Sequence, residues 1–223
     1  MGLLISQQGL DRADRVQLII SYLLQLILAA ELVFSIIEQN WLLAFATAGI
    51  LILTFLPGLI RRKYNVFLPV EFDLVAIIFI FAALFLGEVH SYYVKFWWWD
   101  IVLHTGSGLL LGLAGFLLVY ILNEEKSASI HLKPGFIALF ALAFAIALGA
   151  IWEIFEFSMD SLFGLGMQRS GIVDTMWDLI VDSLGAAVVS ILGFFYIRKR
   201  RSWLFDRTIR RFIERNPGLF RKH

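Results

Sequence analysis

The chain has 223 residues, 60% of them hydrophobic, with 21 Phe, 7 Trp and no Cys, and its mean hydropathy is +0.80. That is far above a soluble globular domain and predicts a protein bathed in lipid. The lack of cysteine excludes a disulfide framework, a thiolate metal site and a cysteine nucleophile, and a net charge of only +1 gives no reason to expect a nucleic-acid partner.

About 20 apolar residues cross a bilayer as an α-helix. The sequence predicts such stretches at 16–38, 40–60, 68–87, 100–122, 134–158 and 174–197. The expected fold class is therefore all-α, a polytopic helical membrane protein with about six transmembrane helices. Alternating strand patterns are missing, which argues against a β-barrel. Pro57, Pro69 and Pro134 fall near span ends, where a missing N–H is tolerable. No short apolar region with a small-residue cleavage site opens the chain, so no removable signal peptide is expected.

Lys and Arg set the expected orientation. Arg12 and Arg15 precede the first span, Arg61, Arg62 and Lys63 close the second, Lys126 and Lys133 separate the fourth and fifth, and Arg198, Lys199, Arg200 and Arg201 close the sixth. With six spans all these groups share one side, opposite Lys95 and Arg169. Both termini are thus expected in the cytoplasm of a prokaryotic cell, with residues 1–201 forming the domain in its cytoplasmic (inner) membrane. Residues 202–223 alternate Trp203, Leu204, Ile209, Phe212 and Ile213 with Arg207, Arg210, Arg211 and Arg215. That pattern predicts a basic amphipathic helix on the anionic lipids of the inner leaflet, serving as a topology anchor.

Acids are the unusual feature of the outer side. Asp100 and His104 are one helical turn apart at the start of the fourth span, in the segment WWWDIVLHTGSG. Glu153, Glu156 and Asp160 are spaced three and four at the end of the fifth, within about 60° of one another. Asp174, Asp178 and Asp182 step by four down the sixth, followed by Gly185, Ala186 and Ala187. Polar stripes turn inward because lipid cannot solvate them, so three helices are expected to line one cavity, with Glu88 and His90 at its rim.

Each residue alone has a plainer reading. Asp100 and Asp174 suit the positive end of a helix dipole. Asp160 suits an exposed loop. His104 suits an interhelical hydrogen bond, and Ser107 suits packing better than a Ser–His nucleophile. Glu31 stands mid-span and faces either the cavity from the side or a polar group such as Gln25, two readings the sequence leaves open. Glu153, Glu156, Asp178 and Asp182 are too deep to be caps. Close carboxylates cannot all ionise cheaply without a cation or a shared proton. A divalent ion (Zn, Mn, Fe or Mg) is the expected cofactor, with Glu153, Glu156, Asp178, Asp182 and His104 as metal ligands. His104 doubles as a general base oriented by Asp100. Arg169 is expected to meet a substrate phosphate, with Asp174 and His90 on the substrate side.

These motifs resemble the YjdF-type family of inner-membrane proteins and, more distantly, VanZ-like proteins linked to glycopeptide tolerance. The resemblance rests on Asp100 and His104, the WEIFEF segment, the DTMWDLIVDSLGA segment and the patch Gly87, His90 and Tyr93, and covers about residues 85–195. In the VanZ-like pattern Arg169 would stand for its arginine. Asp100 departs from the YjdF-type pattern in being followed by Ile101 rather than a basic residue. The resemblance implies the helical membrane architecture and supplies no reaction. Three functions fit: a metal-dependent enzyme acting on lipid or lipid-linked envelope substrates, an ion- or proton-coupled transporter, and a non-catalytic membrane accessory protein.

Overall fold

A computed structural model describes residues 12–56, 58, 59, 63, 70–124, 132–164, 166–168 and 170–199. The regular structure among them is helical throughout. In chain order it comprises α1 (Arg12–Ile37), α2 (Trp41–Leu53), α3 (Val70–Ile80), a π-helix (Phe81–Val89), α4 (Tyr92–Lys95), α5 (Trp99–Glu124), α6 (Pro134–Phe163) and α7 (Ile172–Lys199). Among the described residues four helices are long and apolar enough to cross a membrane: Arg15–Ile37, Trp99–Tyr120, Pro134–Phe163 and Ile172–Arg198. The second and third expected spans contain shorter apolar helices, Trp41–Leu53 and Leu74–Val89. The protein is a polytopic helical membrane protein. The expected tail helix 202–223 and Arg169 lie outside the described residues.

The chain divides into two compact units, Met1–Trp99 and Asp100–His223. In the first, α1 packs against α2 and α3. Its core joins Leu28 of α1, Ile50 of α2 and Phe85 of the π-helix, flanked by Leu51, Ile80 and Phe81. Polar groups here find partners within the apolar interface. The Gln25 amide donates to the Thr54 hydroxyl (3.2 Å), which itself donates to the Leu51 carbonyl (2.6 Å). Gln25, raised by the sequence as a partner for Glu31, is therefore engaged elsewhere.

The π-helix has wider turns than an α-helix, a feature that no hydrophobic periodicity announces. The Trp99 indole donates to its Ala82 carbonyl (3.3 Å). The Tyr93 ring lies where a Cβ on Gly87 would fall, so only glycine fits there. His90 packs edge-on against Phe85, with ring centroids 4.6 Å apart, and its carbonyl accepts from Lys95 Nζ (2.8 Å). The Gly87–His90–Tyr93 patch is thus a packed turn of the first unit.

The second unit holds α5, α6 and α7. Helix α6 begins on Pro134, whose missing N–H goes unused in a first turn. It ends at Gly164, which adopts the left-handed conformation (φ 64°). It runs past the expected end at 158 because Asp160 is not a stop signal. The Asp160 carboxylate accepts from the backbone N–H groups of Met167 (2.7 Å) and Gln168 (2.8 Å), tying the following loop to the helix. The buried residues of α6 are Ile137, Ala141, Ala145, Gly149 and Glu153, a line with steps of four. Its small members let α7 approach closely. Ile151 and Ile154, beside Glu153, are 59% and 64% exposed, so the apolar face points outward and the acid inward.

Helices α5 and α7 touch backbone to backbone. A Cβ on Gly108 would fall on the Asp182 carbonyl oxygen, and one on Gly185 would come within 2.5 Å of the Thr105 carbonyl oxygen. Nothing larger than glycine fits either position without separating the helices. Farther along, Phe116 lies under Gly193, and Phe116, Tyr120 and Tyr196 pack ring on ring. These contacts fix the register that brings α5 and α7 side chains together at the opposite end.

Candidate metal centre

The glycine crossing sets the site. His104 is one turn before Gly108 on α5, and Asp182 is three residues before Gly185 on α7. The His104 Nδ1–H faces Asp182 Oδ2 at 3.2 Å. The other Asp182 oxygen accepts from the Ser107 hydroxyl, which also lies 2.8 Å from the His104 carbonyl. Gly149 of α6 closes the third side, since a Cβ there would sit 2.9 Å from Asp182 Oδ2. Asp182, 3% exposed, is therefore enclosed by two glycines with both oxygens engaged. A buried carboxylate needs such partners to offset its desolvation.

The opposite ring nitrogen of His104 has a different environment. Nε2 lies 3.6 Å from Asp100 Oδ1 and 3.9 Å from Asp178 Oδ1. Both separations exceed a hydrogen bond. One donor atom from each of Asp100, His104 and Asp178 lies within 4.8 Å of the other two. The imidazole is 11% exposed and Asp178 only 3%. With Nδ1 committed to Asp182, Nε2 is the ring nitrogen that faces the other two carboxylates. Carboxylate–histidine pairs of this kind orient metal-binding imidazoles.

Glu153 stands one turn beyond Gly149 on the same line of α6 and is 4% exposed. The Thr175 hydroxyl lies beside it and accepts from the Gln168 amide (2.7 Å). Neither Glu153 oxygen has a hydrogen-bond partner of ordinary geometry among the described residues. Its charged neighbours include His104, Asp182 and Asp174, so it faces the cluster. Glu156 is turned aside, because a step of three rotates it about 60° off the line of fours. Its Oε1 accepts from the Trp152 indole on its own helix (3.0 Å), though Glu153, His104 and Asp100 remain charged neighbours. Asp174 is half-buried in the first turn of α7 and is a charged neighbour of Asp178.

Of the residues the sequence singled out, the structure brings Asp100, His104, Asp178 and Asp182 together directly, with Glu153 facing them. His90 and the exposed Glu88 belong to the other unit. Gly149 went unnoticed in the sequence because a helical glycine in an apolar run carries no signal of the acid it faces. The Ser107 hydroxyl serves Asp182 rather than the imidazole.

A relative described as an uncharacterized protein, from Thermotoga maritima, is 29% identical over 122 residues, which is 55% of this chain. The match spans 59% of that relative's own length. No solved structure matches the chain. The family model described as "Predicted membrane protein (DUF2238)" matches residues 20–199, and the chain belongs to that family.

Proposed function

We propose that this protein binds a divalent cation through Asp100, His104 and Asp178, and uses it on a lipid or lipid-linked envelope substrate at the outer face of a prokaryotic cytoplasmic membrane. The observation that carries the reading is His104. One ring nitrogen is fixed by a buried carboxylate (3.2 Å), and the other faces two more at 3.6 and 3.9 Å. Ligand bonds of about 2.0–2.2 Å put tetrahedral donors roughly 3.3–3.6 Å apart, and the two separations from Nε2, 3.6 and 3.9 Å, come within a few tenths of an ångström of that range. One nitrogen and several oxygens suit Zn, Mn or Fe better than Mg or Ca. Such an ion would polarise a phosphoryl or carbonyl oxygen, or activate water.

Within this reading the roles of the acids divide. Asp182 orients His104, because both its oxygens are already engaged. Glu156 lies off the centre with Trp152. The proposal keeps Arg169 as a phosphate partner, both termini in the cytoplasm, and residues 202–223 on anionic lipid. The YjdF-type resemblance is in keeping with the family, while the comparisons lend no support to the VanZ-like one.

The test is metal binding by the purified chain in detergent, titrated with Mn²⁺ and Zn²⁺ after chelation and compared with His104→Gln and Asp178→Asn. We expect saturable binding that both variants lose while keeping the wild-type helical circular dichroism. Absence of binding in the wild type, or equal binding in all three, refutes the proposal.

A further inference from the structure

Along the seam between α6 and α7 the second unit carries a groove of about 470 Å³. Leu142 and Ile146 of α6 line one side, and Leu179, Ile180, Ser183, Leu184 and Ala187 of α7 line the other. Every one of these but Ser183 is apolar. Leu142, Leu179, Ser183 and Ala187 are half-buried, while Ile146, Ile180 and Leu184 are exposed, so the second set forms rims over a floor made by the first. Apolar pockets of this size between packed helices hold small molecules. Both helices are long and apolar enough to span a membrane, so what reaches an open groove on them is hydrocarbon rather than water.

The groove adjoins the metal position. Leu179 and Ser183 follow Asp178 and Asp182 in the chain, so the row Leu179–Ser183–Ala187 runs beside the row Asp178–Asp182–Ala186 at the same levels of α7. On α6, Gly149 stands three residues beyond Ile146. It is there that α6 meets Asp182, whose Oδ2 lies 2.9 Å from where a Cβ would be. From Leu179 to Ala187 the groove runs about 12 Å along α7, away from the end that carries Asp174. One leaflet offers roughly 15 Å of hydrocarbon, a close match. Acids with their ion at one end, and apolar side chains below them, follow the order of a phospholipid: phosphate first, then chain. An apolar transmembrane helix has nothing to set against the acid end.

We infer that this groove holds one acyl chain of an outer-leaflet phospholipid whose phosphate meets the ion. The inference rests on the metal-binding reading above and names the part of the substrate which that reading leaves open. A groove in a membrane gains little from the hydrophobic effect, because lipid tails are as apolar as leucine. It selects by close packing, since a chain lying in it touches side chains on both flanks, where a flat helix face offers one. Its effect is positional. Holding the chain fixes where the phosphate sits relative to Asp178 and His104, and positioning of that kind lowers the barrier to reaction. Val188, exposed on α7 outside the lining, is the matched position of ordinary lipid contact.

The experiment uses the full chain in bilayer nanodiscs of phosphatidylethanolamine and phosphatidylglycerol. The probe is a phosphatidic acid bearing a diazirine midway along one acyl chain. Illumination and mass spectrometry map the labelled residues with and without Zn²⁺, and bound zinc is counted in parallel. We expect label on Leu142, Ile146 and Leu184 that unlabelled phosphatidic acid competes away and Zn²⁺ raises several-fold, against uncompeted label at Val188. Ala187→Phe, which fills the inner end of the groove, is expected to lose the competed label while keeping its zinc, and Val188→Phe to keep both. Uncompeted label at the groove equal to that at Val188 overturns the inference and leaves the metal reading standing. A groove shielded from label, with protein–protein cross-links through it, assigns it to a second copy and likewise overturns the inference. Competed groove label in a chain that binds no zinc overturns the metal reading, and with it the phosphate contact inferred here. The wild-type competition decides the matter even if Ala187→Phe fails to fold.

Discussion

Replacing Asp182 by Asn removes a charge while keeping the shape of the side chain and an oxygen for the His104 Nδ1–H. That carboxylate lies 3.2 Å from Nδ1, on the far side of the ring from Asp100 and Asp178 and so outside the proposed metal position. A divalent ion on Nε2 would be roughly 7 Å from the lost charge, an attraction of about 4.7 kcal/mol at an effective dielectric of 20. Changes to such orienting partners typically cost 10–100-fold in metal affinity, about 1.4–2.7 kcal/mol, which that attraction can supply. Asp182→Asn is therefore expected to weaken Zn²⁺ binding about 10–100-fold without abolishing it, whereas Asp178→Asn removes it. The assay is competition against a chromophoric zinc chelator in detergent, with circular dichroism as the folding control. Wild-type affinity in Asp182→Asn would mean that the His104–Asp182 pair does not tune the ion. Loss as complete as in Asp178→Asn would make Asp182 a ligand and refute the division of roles.

Three further perturbations probe the scaffold. Gly108→Ala puts a methyl onto the Asp182 carbonyl; it is expected to cost about 1–3 kcal/mol by overpacking, seen as a lower thermal midpoint, and to weaken metal binding as α5 and α7 separate. Ser107→Ala removes a hydroxyl that supports Asp182. It is expected to retain bound metal at reduced affinity, and the wild-type Ser107 is expected to resist a fluorophosphonate probe, since its partner is a carboxylate rather than an imidazole. Asp160→Ala releases the loop N–H groups of Met167 and Gln168; limited proteolysis between 164 and 171 is expected to quicken while metal content stays unchanged.

Much of this arrangement was legible in the sequence because helical spacing is a strong constraint. Acids four apart share a face, and a face of acids cannot meet lipid. Asp100 with His104, and Asp178 with Asp182, could therefore be read as inward stripes. Spacing does not tell a ligand from its orienting partner. Asp178 and Asp182 look alike in the sequence, and only Gly108, Gly149 and Ser107 converging on Asp182 separate their roles. The same limit applies to Glu153 and Glu156, which E-x-x-E treats as a pair. Glu153 continues the line from Ala141 through Gly149, while Glu156 falls to the side of Trp152. The π-helix at Phe81–Val89 has no periodic signature, because its apolar residues read equally well as an ordinary span.

The most direct measurement is zinc K-edge X-ray absorption on the wild-type protein loaded with one equivalent of Zn²⁺ and freed of excess. We expect scattering from one imidazole and from carboxylate oxygens at about 2.0–2.2 Å, with the imidazole contribution gone in His104→Gln. A spectrum with oxygen neighbours alone in the wild type, or no zinc retained, would contradict a centre built on His104.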